Sequence, residues 1–191
     1  MNNRVVVAED EAIIRLDLVE TLRDEGYDVV AECGRGDEVV ALVEQHAPDL
    51  VLLDIKMPGL DGLSAARLIN QRSDAAVIML TAFSQRELID EASDAGAMAY
   101  LVKPYQRTDL VPALEVARAR RQERQALAAK VDELESRIEE RKLIDRAKGV
   151  LMDANGLSED DAFRFMQRSA MSGRRRMSDV AEEVLDGRLT P

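Results

Sequence analysis

The chain has 191 residues, 46% of them hydrophobic, which suits one medium domain and a smaller one with buried cores. Its single cysteine, Cys33, has no partner for an internal disulfide, and with His46 as the sole histidine a Cys/His zinc site is excluded. The net charge of −11 falls entirely within residues 1–110, which carry 21 acidic against 10 basic side chains; residues 111–191 carry 16 of each, which excludes a generally basic coat but leaves room for a local basic face.

The N-terminal MNNRVVVAED has too short an apolar run for a signal peptide, and no run of about 18 apolar residues follows to span a membrane. The expected compartment is the cytoplasm. Val5–Ala8, Asp28–Glu32, Leu50–Leu53, Val77–Leu80 and Met98–Val102 read as five strands, the third and fourth apolar enough to be buried on both faces. Segments near 11–25, 36–46, 61–72 and 84–94 have helical spacing, and a fifth helix begins near Thr108. Alternation of this kind predicts an α/β fold, a doubly wound parallel sheet with helices on both faces.

After Leu110 the strand signals stop. Leu127, Val131, Leu134 and Ile138 recur at the a/d spacing of a coiled coil, predicting a short seam between two chains, with packing on the same chain as the alternative. Residues DANG are expected to end that long helix. Ser158, followed by Glu159, Asp160 and Asp161, reads as an N-cap with acids in the first turn. Ala162, Phe163, Met166 and Ala170 then form the expected buried stripe, whereas Phe165, about 160° from Phe163 around the helix, is the better candidate of the two for an exposed position. Gly173 ends this helix, RRR occupies 174–176, and Ser178 is expected to cap a last helix carrying Val180, Ala181, Val184 and Leu185. The expected divisions are 1–120, a helical linker at 121–140, and a small all-α module of three helices at 141–191.

The five-strand part concentrates reactive residues where strands end: Glu9 and Asp10 after the first, Asp54 after the third, Thr81 after the fourth and Lys103 after the fifth. With strand order 2-1-3-4-5, the crevice where the order reverses brings the three carboxylates together. Clustered carboxylates need a cation, and a hard all-oxygen set suits Mg²⁺. A metal-held aspartate beside a lysine can accept a phosphoryl group, with Lys103 offsetting its charge and Thr81 hydrogen-bonding an oxygen. No Gly-rich GxxxxGK[ST] loop is present, so the donor need not be a nucleotide.

These motifs, AEDE, LLDIKMPGLDG, LTA and YLVKP, resemble the receiver domain of two-component response regulators over residues 4–120. The resemblance implies Asp54 as phospho-acceptor, Glu9 and Asp10 as the acidic metal pair, and the Lys56 backbone carbonyl as a further ligand. It also implies Thr81 and Lys103 as phosphate-sensing groups, Tyr100 as a switch aromatic, a Lys103–Pro104 bond that is commonly cis, and a sensor histidine kinase as partner. Such a protein is regulatory, not an enzyme with an external substrate. Tyr100 also has a plainer explanation in strand-edge packing. Phe83, two residues after Thr81, would exclude water from the phosphoryl group if it faces the site.

In LIDRAKGVLM, residues 143–152, a glycine stands inside a helix at a cost of about 1 kcal/mol relative to alanine. Leu143, Ile144, Ala147, Val150 and Leu151 share one apolar arc; Arg141, Lys142, Arg146 and Lys148 take the other, and Gly149 falls among them. Two explanations stand: a notch for an anionic backbone, or close contact with another protein segment. The stretch from SRIEERKLIDRAKGVLM to VAEEVL, roughly residues 125–186, resembles the ANTAR module of transcription antiterminators. The resemblance implies binding of paired stem-loops in leader RNA, and the order receiver, helical spacer, ANTAR is similar to that of actinobacterial antitermination regulators; a homodimer is the expected active form. Arg141, Lys142, Arg146, Lys148, Gly149, Arg174, Arg175 and Arg176 are the candidate RNA contacts. A protein-interaction adaptor and a DNA-binding regulator are the rival functions.

Overall fold

The computed structural model describes residues 3–82 and 86–191, with the side chains of 86–89 left aside. The elements run β1 (Arg4–Ala8), α1 (Ala12–Asp24), β2 (Asp28–Cys33), α2 (Gly36–His46), β3 (Leu50–Asp54), α3 (Gly62–Arg72), β4 (Ala76–Thr81), α4 (Arg86–Asp94), β5 (Ala99–Val102), α5 (Arg107–Asn155), α6 (Glu159–Gly173) and α7 (Met177–Leu185). All strand pairings are parallel, and the sheet order is β2-β1-β3-β4-β5, as the alternation predicts. The chain divides into two compact units, Met1–Ala126 and Leu127–Pro191.

In the first unit, period-two alternation splits each central strand between two cores. Val5, Val7, Leu50, Leu52, Ile78 and Leu80 face one side, covered by Leu18 and Leu22 of α1 and Leu110 and Leu114 of α5. Val6, Val51, Leu53, Val77 and Met79 face the other, covered by Val39 and Val43 of α2, Ala65 and Ile69 of α3 and Ala92 of α4. Every residue of β3 and β4 is buried, which accounts for their unbroken apolar sequences. Three arginines on α5 fasten the far edge: Arg120 donates to the Met98 carbonyl, Arg121 to that of Asp74, and Arg124 to the Asn70 side chain.

The second unit has its own core, built from Ala147 and Leu151 of α5, Ala162, Met166 and Ala170 of α6, and Val180, Ala181 and Val184 of α7. Ser158 caps α6, its Oγ accepting from the Asp161 N–H at 3.2 Å. The long helix ends at Asn155, within DANG as expected, and Gly156 at φ 65° lies just beyond it. Two local expectations are corrected. The last helix starts at Met177, with Arg176 rather than Ser178 at the cap, because the Asp179 carboxylate accepts the Arg176 N–H and anchors the turn two residues earlier. Val150, placed in the apolar arc, is exposed, since it sits at the edge of an arc centred on Ala147 and Leu151.

Candidate functional site

The C-terminal ends of the parallel strands bring the reactive groups together. Asp54 is the last residue of β3 and Thr81 of β4, while Glu9 and Lys103 directly follow β1 and β5. The ladder continues through the site: the Glu9 N–H donates to the Cys33 carbonyl, that of Ile55 to Leu80, and that of Lys103 to Thr81 at 2.7 Å. One carboxylate oxygen from each of Glu9, Asp10 and Asp54 lies within 4.8 Å of the others. Glu9 is fully buried, Asp54 and Thr81 nearly so, and Asp10 faces solvent. Asp10, Asp54, Lys56, Thr81 and Lys103 line a cavity of about 240 Å³.

Lys103 Nζ lies 2.9 Å from Asp54 Oδ2 and 2.6 Å from Glu9 Oε2. Burial alone would lower the lysine pKa, but the hydrogen bonds to Glu9 and Asp54 and the charges of both outweigh it, so the ammonium is held above its ordinary value. The Glu9 carboxyl is raised by burial and then by the Asp54 charge, against the lowering effect of Lys103. One ammonium thus leaves three carboxylates short of positive charge. An all-oxygen donor set in that condition fits a hard divalent cation, with solvent-facing Asp10 leaving room for retained water.

The loop after β3 is pressed tightly against the site. A Cβ at Gly62 would stand 2.0 Å from the Asp54 carbonyl oxygen, so only glycine lets α3 begin so close to the phospho-acceptor candidate. Asp61 caps that helix, accepting from the Ser64 N–H at 2.9 Å and from its hydroxyl at 2.7 Å, and these bonds hold its carboxyl below the usual range. Lys103–Pro104 is cis. Tyr100 is 46% exposed on β5, so simple burial at the strand edge does not explain it. Phe83 lies outside the described residues.

Two neighbours of the site escaped the motif reading. Arg15 on α1 donates to the Glu9 carbonyl at 2.5 Å, fixing the backbone that carries the buried glutamate. Tyr105 has a buried hydroxyl without a hydrogen-bond partner among the described residues, and burial followed by the charges of Glu9, Asp17 and Asp54 raises its pKa. The YLVKPY stretch contains Tyr105, but nothing in it signals the buried hydroxyl.

On α5 of the second unit, the candidate basic face is less free than its sequence implies. Lys148 is only 15% exposed at its side chain and lies between Asp145 at 2.8 Å and Glu159 at 2.7 Å. Lys142 pairs with Glu139, and Arg141 lies 4.0 Å from Asp145. Arg146 is exposed and has no ion pair among the described residues. A Cβ at Gly149 would meet nothing within 4 Å, so no packing contact within the described chain requires the glycine. Of the three arginines at 174–176, Arg175 pairs with Glu183, while Arg174 takes the left-handed conformation that ends α6 at φ 48°.

The phenylalanine expectation is reversed. Phe163 is 42% exposed, whereas Phe165 packs against the core. The buried arc runs through Ala162, Met166, Ala170 and Phe165, so its centre lies on the Phe165 side and Phe163 falls off the edge.

Comparisons with known proteins match two separate stretches of the chain. Residues 5–115 match the response regulator receiver domain and residues 132–185 the ANTAR domain. The chain is 53% identical over 188 residues to the transcriptional regulatory protein PdtaR of Mycobacterium tuberculosis, covering 98% of this chain and 92% of that protein. It is 36% identical over 115 residues to the chemotaxis protein CheY of Bacillus subtilis, covering 60% of this chain and 96% of CheY. Among solved structures, the signal receiver domain of the response regulator NarL from Mycobacterium tuberculosis aligns with a TM-score of 0.58 and 33% identity, covering 61% of this chain and 96% of that one.

Proposed function

Because the chain belongs to the response regulators that join a receiver to an ANTAR domain, we propose that phosphorylation of Asp54 controls RNA binding by the C-terminal unit and, through it, transcription antitermination. The observation that carries the receiver half is the convergence of Glu9, Asp10, Asp54, Thr81 and Lys103 on one group of strand ends. A sensor histidine kinase is the donor, and the reaction takes place in the cytoplasm, in keeping with the lack, among the described residues, of any helix long and apolar enough to cross a membrane.

In this reading an Asp54 carboxylate oxygen attacks phosphorus. A P–O bond forms as the donor's P–N bond breaks; the electron pair returns to that nitrogen as a lone pair, and the ring leaves as neutral imidazole because its other nitrogen already carries the proton. Glu9, Asp10, Asp54 and the Lys56 carbonyl would hold Mg²⁺, which supplies charge neutralisation for the transferring group. Lys103, released from its contacts with Asp54 and Glu9, pairs with a phosphoryl oxygen, and the Thr81 hydroxyl donates to another. Drawing Thr81 and Lys103 inward changes the surface near Tyr100, the switch aromatic. Residues 1–120 act as receiver, 121–140 as coiled-coil linker and 141–191 as RNA-binding module.

The RNA-binding half rests on Arg141, Lys142, Arg146, Lys148, Gly149 and Arg174, Arg175 and Arg176, with Arg146 the least encumbered cation of the α5 set. Leu127, Val131, Leu134 and Ile138 remain 46–62% exposed within this chain, which favours their seam as the contact between two copies. The test is one preparation assayed twice. Asp54→Asn should abolish labelling by a small phosphodonor with Mg²⁺, since an amide is neither nucleophile nor anionic ligand. Wild-type protein should prefer paired-loop RNA over matched duplex DNA and scrambled RNA at one salt concentration. Full labelling of the Asp54→Asn protein would reject the acceptor assignment; equal binding to all three nucleic acids would reject the output assignment.

A further inference from the structure

Phe163, Gln167 and Met171 follow one another at i, i+4, i+8 on α6 and form a single exposed ridge opposite to the side that packs on Phe165. Phe163 is 42% exposed and Met171 73%. Arg164 and Arg168 form the adjoining row, Arg164 one turn from Gln167 and Arg168 one turn from Met171; both are exposed, and neither has an ion pair among the described residues. This is a second face, separate from the basic arc around Gly149.

Its composition is unusual for a merely solvated helix surface. The chain has only three phenylalanines and no tryptophan, yet one of them is left in solvent here. The acids of α6 are all in its first turn, where Lys148 pairs with Glu159, so beyond Asp161 the helix carries positive charge only. An aromatic face, a polarizable thioether, an amide able to both donate and accept, and two planar guanidinium groups together match an unstacked nucleobase next to its phosphate.

Resting on the RNA-binding reading above, we propose that the Phe163–Gln167–Met171 ridge is the platform on which loop bases stack, with Arg164 and Arg168 holding the flanking phosphates. Single-stranded loops are the form of nucleic acid whose bases are free to lie on such a surface. The Gly149 face then serves the backbone of the stem, and the α6 ridge supplies discrimination. The unpaired arginines favour this occupant over an apolar protein segment, which would leave two guanidinium groups to be desolvated without partners.

The experiment uses the full chain and two RNA hairpin pairs of equal stem, one with natural loop bases and one with abasic loops. Wild-type protein should bind the base-bearing pair more tightly. Phe163→Leu should weaken binding to it by about 10-fold, the loss of one stacked base, and leave the abasic pair unaffected. Arg168→Gln should flatten the dependence of log K on log salt by roughly 0.7 for both pairs. Melting curves should match wild type, because Phe163 and Arg168 lie outside the core. If wild type binds RNA but Phe163→Leu binds both pairs as wild type does, the platform is overturned and the RNA-binding reading stands. If wild type binds neither pair while Phe163→Leu disrupts self-association or capture of a protein segment in sedimentation, both readings are overturned.

Discussion

Gly149→Ala should stabilise the helical unit. A Cβ at this position meets no atom within 4 Å, so the substitution adds no clash and fills no cavity; only backbone terms change. Replacing a mid-helix glycine by alanine is worth up to about 1 kcal/mol, partly from the reduced freedom of the unfolded chain. For a unit the size of Leu127–Pro191, 1 kcal/mol corresponds to a rise in melting temperature of roughly 4–8 °C. Differential scanning calorimetry on the full chain can follow this, as only the transition of the helical unit should move. Gly149→Leu should give a similar or slightly smaller gain and yet block RNA binding if a nucleic-acid backbone approaches the helix here. A drop in stability with alanine would show that the glycine is held against something, such as the second copy of a dimer, and would end the notch argument. Undiminished RNA affinity in the leucine variant would end it as well.

Gly62→Ala should destabilise the receiver by at least about 1–3 kcal/mol, because its Cβ would fall 2.0 Å from a backbone oxygen that cannot rotate away; urea denaturation measures this. Asp61→Ala should cost about 1 kcal/mol at neutral pH through loss of the α3 cap. The folded Asp61 carboxyl is depressed, so its stabilisation is present above the unfolded value near 3.9 and is lost as pH falls through the folded one. Wild-type and Asp61→Ala unfolding curves should therefore converge in acid and separate above about pH 4; a constant gap would deny the charge a role. Arg146→Ala should flatten the salt slope of RNA binding by roughly 0.7 to 0.9, and Lys148→Ala by less, since Asp145 and Glu159 already neutralise that ammonium; equal slopes would show that RNA displaces the acids.

The receiver was legible because its signals are local and redundant. Unbroken runs such as VLLD and VIML announce strands buried on both faces, and a polar residue at the end of such a strand has only the crevice to face. The sheet order then places Glu9, Asp54 and Lys103 within contact distance without any further information. Arg15 and Tyr105 were not legible for the opposite reason. Arg15 acts through the Glu9 backbone, and the Tyr105 hydroxyl is defined by the absence of a partner, so neither leaves a spacing in the sequence.

The helical unit resisted for a different physical cause. Its helices are amphipathic, but the width and centre of an apolar arc depend on what packs against it, and wheel counting treats Phe163 as core because it adjoins Ala162. Ala162, Met166 and Ala170 share one core with residues of α5 and α7, and the aromatic packed against that core is Phe165. Charge is equally context-bound: Lys148 looks like a phosphate contact by its neighbours in sequence, yet Glu159, eleven residues away and on the next helix, claims it. Phe163 lies just past the edge of the buried arc of α6 and is 42% exposed. On the proposal above, loop bases cover this aromatic beside two arginines that have no ion pair among the described residues, and the base-stacking experiment asks that question of the side chain the sequence assigned to the core.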